Sequence, residues 1–390
     1  MKDSFGVVFG FLGAKFKQLD KLLLLLCVIA SVFSVVLLYT MYNNGINPTV
    51  ITPRTWQMQL GATIVGIVCA LVIAAIDYKV IAKLWFVYAP IALILSLLLF
   101  VPALSLSTPG SEAITWLNLG FMQIQPSEFL TVAFIMSFAM HLYKVGDKLN
   151  QIVHMALLCL HVMVPIFVMA LQGNTGTPMI VLLIFVLMLF MAGVSWKYMA
   201  AAAAILPFAG YAFWNFYARE YHRLRILVIF CEETQQQEMR GLFFQQSRSL
   251  MAMSSGGLTG QGLSGGDYIS FFAMHNDFIF SYIGMTLGLV GCILVLLLLL
   301  VLCIRLLLIM NAAKDRLCRA ICAGAFATFF FHTVINVGMA TVVSPVVGIQ
   351  LPFISAGGSA TLSQYIAIGL VLSVWAHRKK EYNMFYSEKD

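Results

Sequence analysis

Charged residues are scarce in this sequence. Asp, Glu, Lys and Arg together make up 10% of its 390 residues, whereas apolar residues make up 61%. This composition leaves too little charge to cover a soluble globule of this size, since soluble domains usually have about a quarter of their residues charged. We therefore expect a membrane protein without a separate soluble domain, in which residues 1–390 form a single integral membrane domain.

Metal-binding and disulfide motifs are also missing. The eight cysteines include no CxxC pair, and most of them lie within apolar runs, among them Cys27, Cys69, Cys159, Cys292 and Cys303. We expect these to be small buried hydrophobic residues and not metal ligands or disulfide partners. The basic residues form no cluster interleaved with aromatic platforms, so no nucleic-acid partner is expected.

Apolar runs of membrane-spanning length recur along the chain. A hydrocarbon core of about 30 Å requires roughly 20 apolar residues in a helix. The first run is followed by no small-x-small cleavage site, so we expect it to be retained as a transmembrane helix. We predict an all-α polytopic membrane protein with ten transmembrane helices, at about residues 21–42, 58–78, 84–104, 129–142, 153–171, 179–194, 198–216, 278–310, 317–340 and 362–375.

Basic residues are distributed unevenly between alternate loops. Seventeen of the 23 Lys and Arg residues fall on the side of the N-terminus, and five of the other six belong to the long segment between the seventh and eighth runs. Cytoplasmic loops carry the excess of Lys and Arg. We therefore predict that both termini are cytoplasmic, and that the net charge of +7 reports orientation and not an acidic ligand.

A large extracytoplasmic loop, about residues 217–277, joins helices 7 and 8. It has six glycines within residues 256–266, mixed with Phe, Tyr and Met residues nearby. Loops of this length are usually functional or disordered, and this mixture favours a folded loop. The alanine run at residues 200–204, which precedes the loop, is expected to pack closely against another helix.

An acidic residue stands where this loop re-enters the membrane. In the segment HNDFIF, Asp277 follows His275 by two positions and precedes the eighth run. A carboxylate at that place is partly desolvated, which raises its proton affinity toward that of a general base. Alternatively, Asp277 caps the eighth helix, because Asp is favoured at helix N-termini. The two roles are compatible.

A second polar segment, WLNLG followed by QPSE, lies at the outer end of the fourth run. Pro126 and Ser127 are typical of a helix start, with Glu128 in the first turn, which gives a purely structural explanation. The functional alternative places Trp116 at the interface as a platform for a lipid or sugar. It also turns Glu128 into the bundle, where it orients a partner.

The segment LPFISAGGS is rich in turn-forming residues and precedes the last run. Its paired glycines, Gly357 and Gly358, let backbone N–H groups approach an anion or another helix closely. Asn336 lies in the preceding run, where a buried Asn needs a hydrogen-bond partner.

Taken in order, these segments resemble the SEDS family (shape, elongation, division and sporulation) of RodA/FtsW-like peptidoglycan glycosyltransferases. The motifs are TWLNLGFMQIQPSE, NTGT, RLRI, QQS, SSGGLTGQGL, HNDFIF, INVGM and SPVVGIQLPFISAGGSA. The resemblance implies an inverting glycosyltransferase of the bacterial cytoplasmic (inner) membrane. Such an enzyme polymerises the undecaprenyl-diphosphate-linked disaccharide-peptide, lipid II, into glycan strands at the outer face.

The resemblance also implies roles for individual residues and partners. Asp277 matches the family's essential acid, its proposed catalytic base. A class B penicillin-binding protein, a transpeptidase, is implied as a partner. Arg223 and Arg225, with Arg240, Arg248 or a divalent cation (Mg or Mn), would meet the diphosphate; metal ligands are not identified. The substrate-binding residues are expected to be Trp116, Glu128, Arg223, Arg225, Gln246, Ser247, His275, Ser355, Gly357 and Gly358.

Several charged positions of the family pattern are uncharged in this chain, namely Thr115, Thr131, Asn174, Met285 and Thr286. Two other functions stay open, and these losses are the main support for the second of them. The first is a lipid II flippase or transporter, which needs polar groups along a path through the membrane. The second is a weakly active scaffold for a penicillin-binding transpeptidase.

Overall fold

Helices make up most of the fold. A computed structural model describes residues 18–107, 113–120, 123–218, 220–313 and 315–378. The two termini, which are predicted to be cytoplasmic, lie outside the described residues. The α-helices of the described residues are α1 (Lys21–Asn43), α2 (Pro53–Ala75), α3 (Tyr78–Lys83), α4 (Trp85–Leu97), α5 (Pro126–Val145), α6 (Ile152–Leu171), α7 (Gly176–Met191), α8 (Trp196–Ala212), α9 (Glu220–Phe230), α10 (Glu232–Gln237), α11 (Phe244–Ser255), α12 (Ile279–Ala312), α13 (Arg316–Ala340) and α14 (Gly358–His377).

The helices include many of membrane-spanning length. In the described part of the chain, eight are long and apolar enough to cross a membrane, namely α1, α2, α5, α6, α8, α12, α13 and α14. Two shorter apolar helices, Trp85–Phe100 and Gly176–Met191, stand where two further spans were predicted. The protein is therefore a multi-pass membrane protein. The count of ten spans stays a prediction, because the 16 residues of α7 rise only about 24 Å.

The outer segment between α4 and α5 contains strands and not only loop. Leu106 pairs with Trp116, and Asn118 pairs with Gln123. The all-α prediction is wrong at this one place, because backbone groups outside helices still need hydrogen-bond partners and short strands supply them. The strands form an antiparallel sheet in chain order, namely β1 (Ser105–Ser107), β2 (Ile114–Asn118) and β3 (Gln123–Ile124).

Helices α2 and α14 pack extensively against each other. Gly66 of α2 lies against the Tyr365 ring, and a Cβ added at Gly369 would fall 2.9 Å from the Cα of Ala70. Small residues of this kind let two backbones approach closely, which matters where lipid provides no hydrophobic force between helices. The Tyr365 hydroxyl shares a 2.9 Å hydrogen bond with Ser31 and so ties α1 to the same bundle.

Two predictions about small residues are wrong. Alanines 200–204 lie on α8 and are exposed, so they do not pack against a helix. Cys159 is exposed and Cys69 is half-buried, although the other three cysteines named above are buried and all eight are free. The reason is that a side chain on the outer surface of a membrane helix faces lipid, where a small apolar group carries no penalty for lacking protein contacts.

The glycine-rich segment 256–266 is folded against α12, as its composition predicted. Four backbone hydrogen bonds join the two, including that from the Gln261 N–H to the Met285 carbonyl oxygen at 3.0 Å. Helix α12 is interrupted at Gly288, whose φ of +66° and ψ of −164° are essentially restricted to glycine. Because Gly288 lies nine positions into α12, the loop reaches about 14 Å along that helix.

Helix α13 connects the two ends of the bundle. Arg316, at its start, forms an ion pair with Asp147 just beyond α5. Asn336, near its end, contacts the backbone of Asp277. These two positions of α13 are about 30 Å apart along the axis, which is the thickness of a hydrocarbon core. We call the two ends the Arg316 face and the Asp277 face.

Candidate active site

Asp277 lies in the turn that joins the long loop to α12. The helix begins at Ile279 and its N-cap residue is Phe278, which makes no side-chain capping hydrogen bond. The alternative in which Asp277 caps this helix is therefore wrong. The turn begins at Ala273, with φ of +61°, and the Phe278 N–H donates to the Ala273 carbonyl oxygen at 3.2 Å. This tight turn places Asp277 one position before the cap.

The Asp277 carboxylate is half-buried and lacks a charged partner. Within the described residues no basic side chain pairs with it and no hydrogen bond reaches its oxygens. Its Oδ2 atom faces Gly348, where an added Cβ would lie 3.6 Å away. Burial raises the pKa of Asp277 to about 6, because lost hydration penalises the charged form. Such a group is ionised at neutral pH and still accepts a proton readily.

Asn336 of α13 holds the backbone beside this carboxylate. Its Nδ2 donates to the carbonyl oxygen of Asp277 at 2.8 Å and to that of Ile349 at 2.7 Å. The buried Asn therefore has the partners that the sequence required. These bonds join the turn before α12 to the loop before α14, two segments that are far apart in the chain.

Three buried polar atoms beside Asp277 have no hydrogen-bond partner in the part of the chain that the structure describes. They are Nδ1 of His275, Oδ1 of Asn276 and Oδ1 of Asn336. Buried polar atoms are nearly always satisfied, so we expect water or polar groups of a substrate to meet them. Burial lowers the pKa of His275 to about 4, so its ring is neutral and supplies a hydrogen bond, not a charge.

The segment before α14 brings several predicted site residues together. The Ser355 hydroxyl donates to the Asn276 carbonyl oxygen at 2.6 Å, and the N–H of the next residue donates to the His275 carbonyl oxygen at 2.9 Å. On α14 itself, the Ser363 hydroxyl donates to Oε2 of Glu128 at 3.2 Å. Glu128 lies in the first turn of α5 and faces the bundle, as predicted.

The paired glycines are held by a residue that the sequence analysis missed. Gln59, buried in α2, accepts a hydrogen bond from the Gly357 N–H at 3.1 Å and donates one to Thr361 at 3.0 Å. The Gly357 N–H is therefore used by a side chain of α2, whereas anion binding by the paired glycines stays a prediction. An amide side chain inside the apolar run of α2 was the signal that could have identified Gln59.

A cleft of about 300 Å³ lies at the same end of the bundle as the carboxylate. Its lining includes Arg225, Arg240, Gln246 and Val346. Val346 lies two residues before Gly348, where an added Cβ would lie 3.6 Å from Oδ2 of Asp277, and Gln246 bonds to Ser344 of the same loop. Two of the arginines named in the sequence thus line a cleft at the same end of α13 as the candidate base.

The other two arginines lie outside this cleft. Arg223 Nε donates to the Trp214 carbonyl oxygen at 3.1 Å, and its guanidinium lies 5.9 Å from the centroid of the Trp214 ring. Residues two apart on a helix do not face the same way, so the two arginines of RLRI separate. Arg248 packs over Phe244 at 5.7 Å.

The remaining predicted residues lie around the cleft and the sheet. Gln246 Nε2 donates to the carbonyl oxygen of Ser344 at 3.0 Å and so fixes α11 to the loop after α13. Ser247 is buried, and its hydroxyl donates to the Phe244 carbonyl oxygen at 2.9 Å. Trp116 is half-exposed on β2, a strand that packs against α5.

A metal site was left open by the sequence. Among the described residues, no three His, Cys, Asp or Glu side chains lie close enough together to hold a metal ion. A divalent cation (Mg or Mn) therefore stays a prediction, and no catalytic step is derived through either ion.

The fold and the site define a class: a multi-pass membrane protein with a half-buried carboxylate that lacks a charged partner and an arginine-lined cleft at the same end of the bundle. A family model described as cell cycle protein, FTSW_RODA_SPOVE, matches residues 17–380. The chain belongs to this FtsW/RodA/SpoVE family.

Relatives of known sequence agree with this membership. The peptidoglycan glycosyltransferase MrdB of Escherichia coli (strain K12) is 28% identical over 366 residues, which cover 93% of this chain and 95% of the relative. The probable peptidoglycan glycosyltransferase FtsW of Trichlorobacter lovleyi is 29% identical over 377 residues, with 93% and 94% covered.

Two solved structures show the same fold. One, described as structural coordination of polymerization and crosslinking by a peptidoglycan synthase complex, contains a chain that matches with a TM-score of 0.77 at 23% identity. The match covers 92% of this chain and 97% of that one. RodA of Thermus thermophilus matches with a TM-score of 0.67 at 22% identity, with 93% and 98% covered.

Proposed function

We propose that this protein is a peptidoglycan glycosyltransferase that polymerises lipid II into glycan strands, with Asp277 as the general base. Family membership supports the activity, as do the names of curated relatives that align with more than nine-tenths of the chain. The observation that carries the proposal is the half-buried carboxylate of Asp277, which has no charged partner among the described residues and lies at the same end of α13 as an arginine-lined cleft.

The reaction joins two lipid-linked saccharides. A sugar hydroxyl of one molecule attacks the anomeric carbon of the other and passes its proton to Asp277. The glycosidic C–O bond forms while the bond from the anomeric carbon to the lipid diphosphate breaks, and the diphosphate leaves with the electron pair. Attack from the side opposite the leaving group inverts the anomeric centre and yields a β-1,4 link.

The departing diphosphate needs positive charge close by. Arg225 and Arg240 line a cleft of about 300 Å³ that is large enough for such a group. Gln246, which lines the same cleft, is held in place by its bond to the Ser344 carbonyl oxygen. Asp277 is therefore suited to the attacking hydroxyl group, and the cleft to the leaving diphosphate, of the same displacement reaction.

The other predicted residues divide into two sets. His275 has an unsatisfied buried ring atom and Glu128 is oriented by Ser363, so both are available to sugar hydroxyl groups. Trp116, half-exposed on β2, provides an apolar platform. Arg223, Ser247, Ser355 and Gly357 use their polar groups within the protein and hold the surrounding loops, whereas Gly358 opens α14 and stays a predicted substrate contact.

The orientation follows from the charge of the loops. With both termini in the cytoplasm, the Asp277 face and its glycine-rich loop are extracytoplasmic. A class B penicillin-binding transpeptidase is the proposed partner. One solved structure with the same fold is described as a synthase complex that coordinates polymerization and crosslinking, which supports this choice.

Transport of lipid II is the competing function. A transporter needs polar or charged groups along a path through the bilayer. Every Asp and Glu of the described residues lies at a helix end or in a connecting segment, which supports catalysis at one face over transport.

The test is polymerisation of labelled lipid II by the protein co-purified with its transpeptidase. Asp277→Asn should slow polymerisation by about 10²–10⁴-fold, the usual contribution of a general base. Asp267→Asn removes an exposed acid from the same loop and should polymerise like the parent. If Asp277→Asn is as fast as the parent, Asp277 is not the base; if the parent is inactive as well, the scaffold alternative applies.

A second pair of variants tests the cleft. Arg240→Gln should slow polymerisation because it removes charge from the cleft wall, whereas Arg248→Gln removes charge at a residue packed over Phe244 and should have little effect. Equal effects of the two variants would contradict the placement of the diphosphate in this cleft.

A further inference from the structure

A second cleft, also of about 300 Å³, lies on the Arg316 face, opposite the candidate active site. It opens where the end of α5, the end of α7 and the start of α13 meet. We call it the Arg316 cleft. Its apolar wall includes Leu142, Leu149 and Met191, and its polar rim includes Asp147, Arg316 and Arg319.

The rim carries more positive than negative charge. Arg316 Nη2 lies 2.6 Å from Oδ1 of Asp147, in a pair whose side chains are 59% and 92% exposed. Arg319 Nε donates to the Ala313 carbonyl oxygen at 3.0 Å, which fixes the guanidinium, while its terminal amino groups make no hydrogen bond to any described residue. The positive end of the α13 dipole adds to this field.

The shape of the Arg316 cleft matches a lipid better than a soluble anion. Its charged rim lies at the ends of α5 and α13, as anionic headgroup sites do, and Leu142, Leu149 and Met191 give it an apolar wall beside that rim. A phosphate at the rim would leave the attached acyl chains along the apolar wall. Basic pockets between helix ends on one membrane side are the usual sites for anionic headgroups.

We propose that the Arg316 cleft binds the phosphate group of an anionic phospholipid, with Arg316 and Arg319 as its ligands. The phosphate accepts charge-assisted hydrogen bonds from both guanidinium groups. Asp147 competes with it for Arg316 and so weakens the site. The site is independent of the glycosyltransferase chemistry, because it lies at the other end of α13.

The test counts bound lipid on the delipidated full-length protein by native mass spectrometry, with phosphatidylglycerol as the probe and phosphatidylcholine as the neutral reference. The double variant Arg316→Gln, Arg319→Gln should lose the preference for phosphatidylglycerol by about 30-fold, the contribution of two cations near a membrane surface. The control Lys83→Gln, Lys197→Gln removes two exposed cations outside the cleft and should keep the preference.

Two further variants separate binding from a loss of structure. Asp147→Asn should strengthen binding of phosphatidylglycerol, because it frees Arg316 from its pair. Ala192→Trp should weaken it with all charges in place, because Ala192 lines the cleft and a large side chain would fill it. A general disturbance of the fold would instead change the binding of phosphatidylglycerol in the same direction in both variants.

Competition identifies the source of the phosphate. Inorganic phosphate at the same concentration should not displace phosphatidylglycerol, because it lacks acyl chains to occupy the apolar wall. Displacement by inorganic phosphate would overturn the lipid assignment and leave a soluble phosphate as the occupant. An unchanged preference in the double arginine variant, or a loss as large in the lysine control, would overturn the site itself.

Discussion

The acids at the two ends of α13 have different surroundings. At the Arg316 face, Asp20 pairs with Arg305, Asp147 with Arg316, and Asp315 with a lysine at 3.6 Å. At the Asp277 face, the carboxylate of Asp277 has no basic partner among the described residues, although it is half-buried.

This difference separates structural acids from a functional one. A paired acid on a helix end stabilises the fold or costs little, whereas an unpaired, desolvated acid costs stability and persists where chemistry needs it. At the Asp277 face, the neutral side chains of Asn336 and Ser355 donate hydrogen bonds to the backbone carbonyl oxygens of Asp277 and Asn276. These bonds fix the carboxylate without lowering its proton affinity.

The largest effect is expected at the buried ion pair of the Arg316 face. Arg305 Nε donates to Oδ2 of Asp20 at 2.9 Å, and the Asp20 side chain is 1% exposed. Arg305→Met leaves a buried charge unpaired and should lower the free energy of unfolding by about 3–5 kcal/mol. Thermal unfolding in detergent micelles measures this loss of stability. The control Arg316→Met breaks an exposed pair and should cost no more than about 1 kcal/mol.

A smaller loss is expected at Asn336. Asn336→Ala leaves the carbonyl oxygens of Asp277 and Ile349 without their donor, which should cost on the order of 2 kcal/mol and slow polymerisation by displacing Asp277. The control Thr333→Ala removes a side-chain hydrogen bond made only within α13. If polymerisation by Asn336→Ala equals that by the control, Asn336 does not position the base.

A gain in stability is expected for Asp277→Asn. Burial raises the pKa of Asp277 to about 6, so the parent loses stability as pH rises from about 4, the unfolded-state value, through 6. The variant lacks this cost and should be more stable by on the order of 1–3 kcal/mol at pH 7 and equal near pH 3. Unfolding curves at the two pH values measure the difference. A variant less stable than the parent at pH 7 would assign Asp277 to the structural acids.

The smallest effect concerns the pH dependence of polymerisation. A base must be deprotonated, so the rate should fall about tenfold per pH unit below the Asp277 pKa of about 6. A rate profile between pH 4 and 8 measures this limb, and the Asp267→Asn control should show the same profile as the parent. If the polymerisation rate does not change across pH 6, it does not depend on the ionisation of Asp277.

The sequence located most of the helices and the candidate base. Apolar runs predicted α1, α6 and α13 to within a few residues, because a bilayer requires continuous apolar helices of a minimum length. The HNDFIF motif located Asp277, and Pro126 located the start of α5. The positions of these helices and residues depend on neighbouring residues in the chain, so a local sequence pattern is enough to predict them.

Other features were not accessible from the sequence. The sheet of β1, β2 and β3 and the exposure of α8 were missed or wrongly predicted. Each depends on which distant segments meet. The role of Gly348 is an example, since nothing around it in the chain indicates that it lies against Asp277.

The sequence by itself determined that the chain crosses a membrane repeatedly and that an acid lies where the long loop returns to the bilayer. Only the tertiary structure decided that this acid has no charged partner in the described part of the chain and that Arg225 and Arg240 line a cleft at the same end of the bundle. The physical reason is that hydropathy and helix length act within a segment. The pairing and burial of a charge depend on side chains contributed by segments far apart in the chain.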